Sequence, residues 1–112
     1  MDGQENNTEF SEQSAILKHL TSKWTPIVLM HLSATPITFG RLRRKIPKIS
    51  QRMLTQTLRT LERDKLIMRC VLPTYPPSVE YALTEMGNTF RDKVISLNQW
   101  AKEIIYNQKE DS

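Results

Sequence analysis

The sequence predicts a mainly α-helical single domain carrying one small β-hairpin, and three observations carry that expectation. Apolar residues recur at three- and four-residue spacing over most of the chain, the pattern of amphipathic helices. Alternation at period two is confined to Val79-Glu80-Tyr81-Ala82-Leu83, which follows the β-prone stretch from Leu66 to Leu72. The 112 residues suffice for one domain, since domains most often run to about 100–150 residues.

The elements follow in order. Residues 1–8 are polar and without apolar periodicity, so a disordered lead is expected there, a folded domain over 9–107 and a frayed tail over 108–112. Ala15, Ile16, Leu17 and Leu20 predict a first helix ending near Thr21-Ser22. Pro26 suits the first turn of a second helix containing Ile27 to Leu32, and Ser33-Ala34-Thr35-Pro36 breaks it. A third helix places Phe39, Leu42 and Ile46 on one stripe and closes at Pro47. Pro47-Lys48-Ile49 then forms a turn, and Ser50 is a good N-cap for a fourth helix running to about Asp64. Pro73-Thr74-Tyr75-Pro76-Pro77-Ser78 is a stiff connector and the expected hairpin tip. Thr84 caps a final helix of roughly 23 residues.

Composition excludes several classes. A single cysteine, Cys70, cannot form an internal disulfide. The longest aliphatic run, Ile27-Val28-Leu29-Met30, is far short of a membrane span. The first ten residues hold three acids and no Lys or Arg, unlike a signal or transit peptide. A soluble cytoplasmic protein without membrane association is expected. His19 and His31 lack the neighbours of a metal site and read as ordinary helix residues. No phosphate loop, nucleophile elbow or paired carboxylates occur, so neither an enzyme nor a cofactor is expected.

Charge distribution points further. The formal net charge is +4, yet residues 41–69 hold ten bases against Glu62 and Asp64, and both flanks are mildly acidic. Concentrated charge of one sign repels itself unless a polyanion offsets it. Two helices joined by a short turn and followed by a hairpin form the winged helix-turn-helix order. On the fourth helix Leu54, Leu58 and Leu61 fall within about 60° of one another. Arg52, Gln56, Arg59 and Arg63 lie on the opposite side, flanked by Thr55. Arg can bond guanine bidentately and Gln can bond adenine so. Arg52, Thr55, Gln56 and Arg59 are therefore the candidates for base readout in double-stranded DNA. Arg43, Arg44, Lys48, Ser50 and Gln51 are candidates for the phosphate backbone, the last two helped by the helix dipole.

The run from Ile49 to Asp64, Ile-Ser-Gln-Arg-Met-Leu-Thr-Gln-Thr-Leu-Arg-Thr-Leu-Glu-Arg-Asp, resembles the recognition-helix signature of HxlR-type regulators, which are bacterial winged-helix transcription factors related to MarR. Lys23-Trp24, Phe39-Gly40-Arg41-Leu42, Leu66-Ile67-Met68-Arg69, Pro76-Pro77-Ser78-Val79-Glu80-Tyr81-Ala82-Leu83-Thr84-Glu85 and Gly87 continue the resemblance over roughly residues 22–101. It implies a DNA-binding transcriptional regulator, with Ser50–Asp64 as recognition helix, acting as a homodimer built from the first and last helices on an inverted-repeat operator. The last helix fits: Phe90, Val94, Leu97, Ala101 and Ile104 are spaced 4-3-4-3, and Trp100, Ile95 and Ile105 widen the stripe to two faces. Phe90, Val94, Leu97, Trp100, Ala101 and Ile104 are the candidate dimer interface.

Three departures from the family pattern matter. Lys48 and Lys65 stand where the family often has Gly, and Ser78 where it commonly has Arg. The wing is therefore expected to contact DNA only through Thr74 or Tyr75, at the backbone. No cysteine occurs in residues 1–24, where several members carry a sensing thiol, and Cys70 is expected to be an inert, buried strand residue. A small-molecule effector, held between the dimer helices and the DNA-binding core, is left as a further partner that no residue pattern identifies. The rival reading is a winged helix that meets an acidic protein surface without sequence-specific DNA binding.

Overall fold

A computed structural model describes residues 16–110 of the chain. The expected lead, the beginning of the first helix and the last two residues of the expected tail lie outside the described residues. The order is α1 (helical over 16–21), α2 (Thr25–Met30), β1 (Ile37–Thr38), α3 (Phe39–Lys45), α4 (Gln51–Arg63), β2 (Ile67–Leu72), β3 (Ser78–Leu83) and α5 (Glu85–Glu110).

Local chemistry sets the helix ends. Thr38 Oγ1 accepts from the Arg41 N–H at 3.3 Å to open α3, and Ser50 Oγ accepts from the Met53 N–H at 3.0 Å to open α4. At the other end of α4, the Leu66 N–H donates to the Leu61 carbonyl (3.0 Å) and the Lys65 N–H to that of Glu62 (2.9 Å). That is a Schellman motif, and its left-handed position is held by Lys65 at φ 62°. Lys48 has no such backbone, so of the two positions where the family favours Gly only Lys65 requires it conformationally. Thr84 joins two elements: its hydroxyl donates to the Lys65 carbonyl (2.7 Å) and accepts from the Gly87 N–H (3.0 Å).

The core is where these elements meet. Val28 and Leu29 of α2, Leu42 of α3, Leu54, Leu58 and Leu61 of α4, and Leu66 are essentially inaccessible to solvent. Each such burial contributes roughly 1.5–3 kcal/mol. Ile46 and Ile49, on either side of the α3–α4 turn, are buried too and set the angle of the helix pair. Phe90 and Val94 pack against the core from α5.

The sheet has three antiparallel strands in the order β1-β3-β2, with Ile37 opposite Tyr81 and Arg69 also opposite Tyr81. The hairpin is as expected, but β1 was not foreseen. Two residues are too short to show period two, and only the pairing with β3 makes them a strand. Helix α5 continues through Glu110, past Gln108 where fraying was expected. The expectation of a buried Cys70 is wrong: it is exposed. Along β2 only Ile67 is fully covered, and Met68 and Val71 are more than half exposed. The strand is at the sheet edge and runs out of the core, so its later residues lose their cover.

Candidate nucleic-acid interface

Helix α4 divides as its sequence spacing predicts. Leu54, Thr57, Leu58 and Leu61 are buried, with the Thr57 hydroxyl donating to the Met53 carbonyl at 2.7 Å. Gln51, Arg52, Gln56 and Arg59 are exposed and Thr55 is half-buried. These five residues line one open groove of about 690 Å³. Arg52 and Arg59 are two helical turns apart, about 10 Å along the axis, or about three base-pair steps.

The backbone-binding candidates surround that face. Arg43 and Arg44, with Gln51, line a neighbouring groove of about 580 Å³ between α3 and the start of α4. Lys48 is exposed in the turn. The Ser50 oxygen is engaged in capping, which leaves its proton to donate. The N–H groups of Gln51 and Arg52 have no intrahelical partner and point the positive end of the helix dipole outward. A third trough brings Arg44, Gln51 and Thr55 together with Ser78 and Tyr81 at the root of the wing.

The charges on this surface are uncompensated. All ten Lys and Arg of residues 41–69 are exposed, and among the described residues only Arg63 forms an ion pair, with Asp64 at 3.4 Å. Arg63 and Arg59 are a like-charged i,i+4 pair. Asp64 rather than Glu62 draws Arg63 away, and Arg59 has no ion pair or hydrogen bond among the described residues. At the hairpin tip Thr74 spends its hydroxyl on the Pro76 carbonyl (2.9 Å), shaping the turn, and Tyr75 projects fully into solvent.

The candidate dimer residues split by position along α5. Phe90 and Val94 are half-buried against their own core, and Ala101 and Ile104 are half-buried further along. Leu97 (47% exposed) and Trp100 (58%) are open, as are Ile105 and Tyr106, the last of which pattern reading passed over.

Sequence reasoning missed His19. It is 5% exposed, its Nε2 lies 2.6 Å from Asp64 Oδ2, and its ring meets Phe90 edge-on with centroids 6.3 Å apart. It therefore ties α1 to the C-terminal end of α4 and to α5. Burial pushes the Asp64 carboxyl up, but hydrogen bonds and charge from Arg63 and His19 more than reverse this, leaving it below its ordinary value. No spacing rule could reveal a partner 45 residues away.

Comparison with known proteins agrees with this geometry. Residues 19–109 match the HxlR-like helix-turn-helix family. The chain is 42% identical over 94 residues to the HTH-type transcriptional regulator YtfH of Escherichia coli K12, covering 81% of this chain and 75% of that one. A MarR-family transcriptional regulator from Enterococcus faecalis V583 superposes with a TM-score of 0.78 at 31% identity, over 91% of this chain and 92% of that one. The redox regulator HypR in its reduced form superposes with a TM-score of 0.73 at 35% identity, over 93% and 98%. No helix among the described residues is long and apolar enough to cross a membrane. A basic α4 face on a winged scaffold and a family match over residues 19–109 have one reading: the protein belongs to the HxlR family of DNA-binding transcriptional regulators.

Proposed function

We propose that two copies associate through α1 and α5 and place their α4 helices in successive major grooves of an inverted-repeat operator, with half-sites about 34–36 Å apart. Arg52, Thr55, Gln56 and Arg59 read base edges. Arg43, Arg44, Lys48, Ser50 and Gln51 hold the phosphates and set register, and Tyr75, with Thr74 shaping the tip, touches the backbone from the wing. The work is binding without turnover, carried out in the cytoplasm. The observation that carries this reading is the helix-turn-helix surface itself, where seven of its eight exposed bases have no ion pair among the described residues. The apolar side chains left open on the second half of α5 support the association.

Selection of bound duplexes from a random pool tests it. An inverted repeat is expected. Arg59→Ala should then weaken operator binding by about 1–3 kcal/mol, roughly 5- to 150-fold, and relax preference at one position of each half-site. Lys48→Ala should weaken all sequences alike and flatten the salt dependence. Unchanged operator affinity in Arg59→Ala would refute the reading face. No affinity for any duplex at low salt would favour the protein-interaction rival.

A further inference from the structure

Beside the reading face, Glu62, Arg69 and Tyr81 meet Thr55 and Arg59 in a cluster, and the first three have no role in DNA reading. Ile67, Arg69 and Val71 share a face of β2, and Ile67 is buried where that face meets the core. Two residues further out, Arg69 stands opposite Tyr81 in the register. Across from it, Thr55, Arg59 and Glu62 form one stripe of α4 at i, i+4 and i+7. Strand and helix enclose a cleft of about 310 Å³ lined by these five residues, Thr55, Arg59, Glu62, Arg69 and Tyr81.

The chemistry inside is unfinished. Two guanidinium groups, a carboxylate and two hydroxyls converge, yet none of these side chains makes a hydrogen bond or ion pair among the described residues. Glu62 sits one turn from Arg59 and shares the cleft with Arg69, and it neutralises neither. The net charge of the cleft is +1, and its free donors exceed its acceptors.

Position says what fills it. The cleft lies between α4, which enters the major groove on the reading proposed above, and the hairpin whose tip carries Tyr75. The sugar–phosphate strand separating two grooves has to cross the gap between the elements that address them. Arg59, committed to a base edge, cannot also hold that strand. Arg69 can, since a guanidinium matches phosphate with two parallel hydrogen bonds.

We propose that this cleft seats one DNA phosphate per half-site, with Arg69 as its principal donor, the Tyr81 hydroxyl as a second donor, and Glu62 as a like charge that holds the affinity down. The proposal rests on the operator reading above but adds a contact from outside the helix-turn-helix, at a residue with no assigned role.

The test uses the full chain and a duplex selected as above, with dissociation constants measured over a potassium chloride series. Arg69→Gln should weaken every duplex by roughly tenfold. It should also lower the slope of log K against log salt by about 0.9 per half-site. Arg69→Lys should restore the slope, and Glu62→Gln should tighten binding severalfold with unchanged base preference. Single methylphosphonates scanned along the duplex give the position: at one phosphate per half-site wild type should lose affinity, and Arg69→Gln should lose severalfold less there. An unchanged slope in Arg69→Gln overturns the proposal. So do methylphosphonate penalties that add at every position, and so does relaxed base preference, which would make Arg69 a base reader. Wild type that binds no duplex at any salt would overturn the operator reading as well, which separates the two failures.

Discussion

Gly87 lies in the first turn of α5, where the helix crosses the turn that ends α4, and replacing it with alanine tests how closely those backbones pack. A Cβ added there would overlap the Leu66 carbonyl oxygen and stand 2.8 Å from the carbonyl carbon and 3.2 Å from Leu66 Cα. Carbon atoms pack best at roughly 3.5–4.0 Å. The obstacle is backbone, so no side chain can rotate away. Relief requires α5 to retreat by about an ångström, which strains the Thr84 N–H bond to the Leu66 carbonyl (3.1 Å) and the two bonds of the Thr84 hydroxyl. Overpacking of this kind costs about 1–3 kcal/mol, and a weakened hydrogen bond about 0.5–1.5. Higher helix propensity of Ala offsets about 1, so a net loss of about 1–3 kcal/mol is expected. For a chain of this size that lowers the midpoint of thermal unfolding by roughly 5–15 °C, read by circular dichroism at one protein concentration. Gly40→Ala is the matched control: its Cβ would meet only Arg44 Nη1, at 3.7 Å. The same propensity gain should then leave α3 unchanged or up to about 1 kcal/mol more stable. A Gly87→Ala protein that melts at or above wild type would refute the close approach of α5 to Leu66.

Lys65→Gly should stabilise the fold by about 0.5–1 kcal/mol, because the left-handed backbone at φ 62° costs an L-residue about 1–2 kcal/mol and glycine only its extra unfolded-state freedom; urea unfolding that shows a loss would contradict the Schellman assignment. The folded Asp64 carboxyl lies below its ordinary value, so its contribution is fully present above the unfolded carboxylate pKa and is lost as pH falls through the folded one. Asp64→Asn should accordingly be less stable than wild type near neutrality, with the gap closing in the acid range; a gap independent of pH would show that Arg63 and His19 do not hold the Asp64 carboxylate ionised. Trp100→Glu, at an open position on the proposed dimer face of α5, should weaken self-association in analytical ultracentrifugation, and self-association left unchanged would refute that face.

Much of the proposed binding surface was legible because the determinants of α4 are local. Leu54, Leu58 and Leu61 define the buried side of α4 by spacing alone, and the helix period then puts Arg52, Gln56 and Arg59 outside. Ser50 and Thr84 announce helix starts because a cap reaches only three residues ahead. What escaped was long-range or marginal in length: the pairing of Ile37–Thr38 with β3, the His19–Asp64 contact, and the exposure of Cys70 on an edge strand.

The sequence by itself determined the helices and the hairpin, the division of α4 into a buried and a basic side, and the concentration of positive charge in residues 41–69, since periodicity, capping and composition act over a few residues. Only the tertiary structure decided which of those charges stay unpaired, that His19 meets Asp64, and that Arg69 faces Glu62 and Arg59 across a cleft. Those facts depend on how α1, β2 and β3 are laid against α4, and a distance through space between residues far apart in the chain has no local signature.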